Sequence, residues 1–223
     1  MDNDKKNQRK TPEQTITPTE KEFREAIRIN PDNVEAHNDL GILLAILRRY
    51  SEAEKEFREA IRINPNYVEA HYNLGNLLVI FRQYSEAEKE FREAIRINPN
   101  YAEAHNNLGI LLRILQRYSE AEKEFREAIR INPDYAEAHY NLGYLLAYLQ
   151  RYDEAEKEFR EAIRINPDDA EAHYNLGYVL AYYLQRYDEA KKEILKAKEL
   201  FGKQGRIEYV KSCNEILKEI IKL

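Results

Sequence analysis

Five histidines, His37, His71, His105, His139 and His173, stand a fixed step of 34 residues apart. Imidazoles ligate metals and carry protons. A metal site needs three or four ligands at set spacing. No third ligand of fixed spacing accompanies any pair of these histidines, so no metal is expected. The single cysteine, Cys213, sits on an apolar stripe without a histidine partner, as an inert buried thiol would. The chain has no Gly-rich phosphate loop, nucleophile elbow or zinc motif. No catalytic residue and no cofactor is expected, and the chain reads as a non-enzyme. What remains is the chemistry of binding. Tyr140, Tyr144 and Tyr148 recur at i, i+4, i+8, as do Tyr174, Tyr178 and Tyr182, so each set lines one face of one helix. Tyrosine offers a large rigid ring and a hydroxyl, a combination favoured at interfaces. Asn73, Asn107, Asn141 and Asn175 keep the 34-residue step. Each amide can donate and accept at once, matching a peptide unit.

The elements that would position these groups follow from the same step. Asn30-Pro31, Asn64-Pro65, Asn98-Pro99, Asn132-Pro133 and Asn166-Pro167 keep it, and so do Gly41, Gly75, Gly109, Gly143 and Gly177. A fixed period of this length predicts stacked repeats growing in one dimension, a single array with no internal boundary. Five units of two helices each are expected at 34–67, 68–101, 102–135, 136–169 and 170–204. A half repeat at 17–33 would cap the N-terminal end. Ile207, Val210, Cys213, Ile216/Leu217 and Ile220/Ile221 lie at helical spacing and predict a capping helix within 205–223. The array thus spans 17–223. Residues 1–16 are polar and lack periodicity, and they read as a disordered tail with a solvated cluster at Lys5–Lys10.

Helix starts are expected at capping boxes. Thr17/Glu20 would open the first helix. Asp32/Glu35, Asn66/Glu69, Asn100/Glu103, Asp134/Glu137 and Asp168/Glu171 would open the first helix of each unit. Ser51/Glu54, Ser85/Glu88, Ser119/Glu122 and Asp153/Glu156 would open the second. Within a second helix, Ala87, Phe91, Ala94 and Ile95 make one buried stripe, and Glu88, Lys89, Arg92 and Glu93 make a solvated outer face. Within a first helix, His71, Leu74, Gly75, Leu78 and Phe81 make the stripe. Gly75 costs about 1 kcal/mol of helix propensity, which predicts a close approach that a Cβ would block.

The run His71-x2-Leu74-Gly75-x2-Leu78…Ala87-x3-Phe91…Pro99 resembles the tetratricopeptide repeat pattern Trp-x2-Leu-Gly-x2-Tyr…Ala-x3-Phe…Pro. The resemblance covers residues 17–204. It implies an all-α fold, a right-handed α-solenoid or superhelix of helix-turn-helix repeats. The chain departs from the pattern in that His replaces the large aromatic and Leu the later Tyr. The turn between the helices, where Gly is usual, holds Arg48, Arg82, Gln116 and Gln150. A non-Gly residue there adopts positive φ, or the turn differs. The fifth unit also gains one residue within Ala181–Gln185, to be absorbed by a bulge or a longer turn.

By resemblance, the first helices build a concave wall that presents five rows. These are Glu35, Glu69, Glu103, Glu137 and Glu171; then Asn38, Tyr72, Asn106, Tyr140 and Tyr174; then Asp39, Asn73, Asn107, Asn141 and Asn175; then Ile42, Asn76, Ile110, Tyr144 and Tyr178; and Ile46, Ile80, Ile114, Tyr148 and Tyr182. The tyrosines are either packing residues or a binding surface. The core stripe is complete without them, which favours a surface. The asparagines either hold an extended peptide by its backbone, as in similar proteins, or bridge neighbouring helices; both readings stay open. The expected peptide-binding set is Tyr72, Asn73, Asn76, Asn107, Ile110, Tyr140, Asn141, Tyr144, Tyr148, Tyr174, Asn175, Tyr178 and Tyr182. No Lys or Arg in these rows could clamp a terminal carboxylate, so a basic or neutral segment is the better ligand. The alternative is self-association through the apolar wall, with Ile42, Ile46, Ile110 and Ile114 exposed.

Charge narrows the partners. The net charge is −5, but residues 191–223 carry nine Lys/Arg against five Asp/Glu and residues 1–16 four against three, leaving −10 between them. An acidic body disfavours nucleic acid. No stretch approaches 18 uncharged apolar residues, so no membrane span is expected. One cysteine and no signal-peptide pattern suit a reducing compartment, the cytoplasm.

Overall fold

The computed structural model describes residues 18–222; the tail at 1–16 and the cap residue Thr17 lie outside them. Among the described residues there are twelve helices and no strand: an all-α solenoid of paired helices. They fall into two compact units, parted between Pro99 and Asn100 at a junction of repeats. The first unit holds α1 (Pro18–Ile29), then the pairs α2 (Val34–Ile46) with α3 (Tyr50–Ile63) and α4 (Val68–Ile80) with α5 (Tyr84–Ile97). The second holds α6 (Ala102–Ile114) with α7 (Tyr118–Ile131), α8 (Ala136–Tyr148) with α9 (Tyr152–Ile165), and α10 (Ala170–Tyr182) with α11 (Tyr187–Lys203). It ends with α12 (Ile207–Ile220), where the first helix of a further repeat would stand. Within each unit, helices pack only on their near neighbours in the chain.

Each pair closes around one ring. Phe57, Phe91, Phe125 and Phe159 are fully buried, each against the glycine of its own first helix. A Cβ on Gly109 would come within 2.7 Å of the Phe125 ring, and one on Gly177 within 2.7 Å of Ile194. The expected close approach is therefore glycine to aromatic ring in the first four pairs and glycine to Ile194 in the fifth. The buried set is Ala70, Leu74, Leu77 and Leu78 on α4 with Ala87, Phe91 and Ala94 on α5, and it recurs in the other pairs. Ile95 is half-buried, and Phe81 closes α4 beyond the helix, edge-on to Tyr50 at 6.1 Å.

The capping boxes do not form. The first helices begin one residue later, and their N-cap positions are Asn33, Tyr67, Tyr101, Tyr135 and Asp169. Only Asn33 and Asp169 have a side chain that can cap, and each accepts from the amide three residues on. The Asn of Asn-Pro takes the nearer role: Asn64 Oδ1 accepts from the Asn66 amide at 3.0 Å, shaping the turn before the helix. The second helices begin two residues earlier than their boxes imply, after Arg49, Gln83, Arg117 and Arg151, without a side-chain cap. The glutamates of those boxes serve the neighbouring repeat. Arg49 bonds the fully buried Glu20 at 2.8 Å, and Arg151 and Arg186 bond Glu122 and Glu156 at 2.7 Å each. The outer charges are thus partly a ladder between repeats; Arg58 joins Glu54 on its own helix and Glu86 on the next at 2.8 Å each.

Arg48, Arg82, Gln116 and Gln150 all take positive φ, between 59° and 63°. The Arg49 amide reaches the Leu44 carbonyl at 2.8 Å and the Arg48 amide the Ala45 carbonyl at 3.0 Å. This is the paired closure that normally recruits glycine to a helix end. The extra residue of the fifth unit widens the turn. The Leu184 amide bonds the Val179 carbonyl at 3.1 Å, and the Arg186 amide bonds Leu180 at 2.8 Å. Gln185 still takes the left-handed position, with φ 55°.

Candidate functional site

The first helices place the predicted rows at different depths. The second row is largely core. Asn38 and Asn106 are buried, and Tyr72, Tyr140 and Tyr174 are half-buried. Their rings lean on the phenylalanine of their own repeat, at 6.2 Å from Phe91, 6.0 Å from Phe159 and 6.2 Å from Phe201. Burial, with Asp169 and Glu171 nearby, pushes the Tyr140 phenol up to about 12. These three rings thus pack partly into their own repeats, and the later tyrosines of the two series are the more exposed.

The asparagine row bridges helices. Asn73 Nδ2 donates to Asn38 Oδ1 at 2.9 Å, and Asn141 Nδ2 to Asn106 Oδ1 at 3.0 Å. Asn175 Nδ2 donates to the Tyr140 hydroxyl at 3.1 Å. Each bond ties a first helix to the first helix before it. Asn107, Asn76 and Ile110 are half-buried on the same face. The sequence left two readings of these amides open, and the geometry shows the bridging one.

The fifth row is exposed, and the fourth is exposed except at Asn76 and Ile110, which are half-buried, so Ile110 is not the open residue it was expected to be. Ile42, Ile46 and Ile80 lie open on the first unit, and Ile114, Tyr144, Tyr148, Tyr178 and Tyr182 on the second. Four of the expected residues, Tyr144, Tyr148, Asn175 and Tyr178, converge on a cavity of about 190 Å³ between α8 and α10. Its other walls are Ala147, Phe159, Val179 and Tyr183. Tyr148 leans on Tyr118, with ring centroids 5.1 Å apart and hydroxyls 3.2 Å apart. Tyr178 lies 4.6 Å from Tyr182, whose hydroxyl donates to Glu219 on α12. Tyr183 stacks on Tyr152 at 3.9 Å. It was missed in the sequence because it lies in the turn that the insertion lengthens, outside the i, i+4, i+8 series. That insertion, which sets a second tyrosine directly after Tyr182 at the end of α10, was the available signal.

Glu35, Glu69, Glu103 and Glu137 are exposed, as a negative rim requires. Glu171 is not available in the same way, since it pairs with Arg206 at the start of α12. Arg206 also covers the rings of Phe201 and Tyr209 at 4.8 and 4.1 Å.

The histidines are held by two partners that sequence spacing did not reveal. His71 Nδ1 lies 2.6 Å from the Glu90 carboxylate and Nε2 3.0 Å from the Pro65 carbonyl. His37, His139 and His173 repeat both contacts with Glu56/Pro31, Glu158/Pro133 and Glu193/Pro167. A carbonyl can only accept, so Nε2 carries a proton. For His71 and His139 the Nδ1 contact to a carboxylate then favours the protonated ring. Among the described residues no group of three or more His, Cys, Asp or Glu could hold a metal ion. Cys213 is fully buried, and burial pushes its thiol up to about 11, away from reactivity.

The chain resembles several solved structures. One is YrrB, described as a TPR protein with an unusual peptide-binding site, at 26% identity and TM-score 0.64 over 80% of this chain and 91% of that one. TTC0263, a thermophilic TPR protein of Thermus thermophilus, is 25% identical with TM-score 0.65, covering 82% of this chain and 98% of the other. Yeast Tom70 shares the fold at 18% identity and TM-score 0.73, over 90% of this chain and 43% of its own. No curated protein sequence matches the chain. The tetratricopeptide repeat family profile matches residues 72–136, 115–169 and 140–201, and further TPR profiles match 46–79 and 22–55. From residue 22 to residue 201 the matches are unbroken, and the chain belongs to the tetratricopeptide repeat family.

Proposed function

We propose that this protein is a non-catalytic scaffold that holds a peptide segment of a partner in the groove of its first helices, with the tyrosines of α8 and α10 as its main contact. Tetratricopeptide repeat proteins in general are protein-interaction scaffolds and not catalysts. The observation that carries the finer reading is the cavity between α8 and α10, walled by tyrosines whose outer faces are exposed. An aromatic-lined pocket of this kind is where interface energy concentrates. The exposed glutamates at the starts of the first helices favour Lys or Arg in the partner and speed its approach. The asparagines, committed to neighbouring helices, serve this surface by fixing the spacing of the first helices. The acidic body speaks against nucleic acid, and among the described residues no helix is long and apolar enough to cross a membrane. The single buried thiol accords with a cytoplasmic setting.

A peptide selected by display on the intact protein supplies the test. Replacing Tyr144 and Tyr178 with Ala should weaken its binding by about 2 kcal/mol or more each, since central interface aromatics carry that much. Melting should change little. Undiminished affinity would place the site elsewhere, and an equal collapse of melting temperature would make these rings core.

A second reading is self-association through the first unit, favoured by the exposure of Ile46 and Ile80, at 73% and 57%. A mass of one chain by light scattering across a range of concentrations would exclude it.

A further inference from the structure

We infer that the cavity between α8 and α10 receives an arginine side chain from the bound peptide. This deepens the peptide-scaffold reading and rests on it. The repeat shows the same place twice, once covered from within and once open. The guanidinium of Arg113 on α6 lies over the ring of Tyr144 on α8, 5.0 Å from its centroid. One 34-residue step later, Arg113 becomes Ala147 and Tyr144 becomes Tyr178. The spacing within the pair is unchanged. A methyl group therefore stands where the internal guanidinium would come from, and the cavity of about 190 Å³ opens there, with Ala147 and Tyr178 both in its wall.

The surroundings change in the direction a cation requires. Ile114 and Leu149 of the preceding repeat become Tyr148 and Tyr183, both lining the cavity. Ring faces thus accumulate where the chain's own cation is lost. Aromatic faces are electron-rich and attract a cation placed over them. None of the lining residues is basic. A carboxylate lies one ring away, since Tyr182, 4.6 Å from Tyr178, donates its hydroxyl to Glu219. Asn175 in the wall uses its amide nitrogen on Tyr140, which leaves its carbonyl oxygen as an acceptor for an N–H. Arginine fits better than lysine because a planar guanidinium stacks on rings and still donates at its edge.

Three capped tripeptides, Ac-Gly-X-Gly-amide, provide the probe, with X as arginine, citrulline or phenylalanine. Citrulline keeps the shape of arginine and removes the charge. Each is titrated into the full chain while backbone amide shifts are followed. The arginine peptide should move the amides of residues 144–148 and 175–183, and citrulline should bind about fivefold to tenfold more weakly. Ala147→Arg should abolish the response by supplying the guanidinium internally, and Tyr178→Ala should weaken it. Circular dichroism checks that both variants keep the fold. Equal binding of citrulline, or an undiminished arginine response in Ala147→Arg, overturns the inference. So does a phenylalanine peptide that moves these amides while arginine does not; the peptide groove would then stand without its cation. If a display-selected peptide ignores Tyr144→Ala and Tyr178→Ala, the groove reading itself falls.

Discussion

At the scale of single residues, the histidines are the clearest case of a role set by partners and not by type. Each replaces a large aromatic on the core side of its helix, and each is buried. His71 and His139 each face a carboxylate of the second helix and a carbonyl of the Asn-Pro turn. For His71 burial is the largest influence and lowers the imidazole's affinity for its proton. The bond to Glu90, the Pro65 carbonyl and the charges of Glu90 and Glu93 outweigh it, and the group is raised above its ordinary value of 6.5. His139 is raised in the same way by Glu158, the Pro133 carbonyl and Glu161, against burial. In the window above 6.5 the folded chain therefore binds more protons than the unfolded one. Stability from these pairs is complete below 6.5 and is lost as pH rises through the folded-state values. Urea unfolding from about pH 6 upward should show a falling midpoint. His71→Gln and His139→Gln together should flatten that dependence. A wild-type midpoint that is level or rising over the interval would remove the imidazolium from the account.

At the scale of elements, the turn between paired helices stores a correctable strain. A side chain at positive φ costs about 1–2 kcal/mol, and all five pairs carry Arg or Gln there. Gln150→Gly should raise stability by about 0.5–1 kcal/mol, the relief being offset in part by the greater freedom of glycine when unfolded. Gln150→Val should lower it, since a β-branched residue fits that conformation poorly. Chemical denaturation of both variants separates strain from a generic surface effect, which would not give opposite signs. These turns also show what was legible beforehand. Periodicity placed every helix pair and the tight glycines, because a Cβ at Gly109 has one consequence wherever the fold is known. The start of α3 was misplaced by two residues because Ser51 and Glu54 look like a box in isolation. The box glutamates of other pairs bond an arginine in the following repeat, as Glu122 does with Arg151. The depth of Tyr140 was misread for a similar reason. Its spacing matches that of Tyr144, but only packing against Phe159 shows that one ring is half-buried and the other exposed.

At the scale of the whole molecule, stability rests on contacts between successive helices, and the ends have one neighbour fewer. Phe23 on α1 is only half-buried, whereas its counterparts Phe57, Phe91, Phe125 and Phe159 are fully enclosed by a first helix, which α1 lacks among the described residues. The other end is closed. α12 lays Cys213, Ile216, Leu217 and Ile220 against the repeat before it and turns Glu208, Lys211, Glu215 and Lys218 outward. Tyr209 meets Phe201 at 4.7 Å, and Arg206 joins Glu171 to the same corner. Each apolar side chain so buried is worth roughly 1.5–3 kcal/mol before the cost of ordering the helix. Truncation after Lys203 should therefore expose Leu200 and Phe201, lower the melting temperature and promote association. The effect should be graded, because in a solenoid the coupling runs from neighbour to neighbour. Amide exchange in α10 and α11 should quicken strongly, while α6 and α7 keep most of their protection. Uniform quickening across all six helices from α6 to α11 would show a block that unfolds as one, and a truncated chain that stays monomeric with unchanged melting would show that α12 caps nothing.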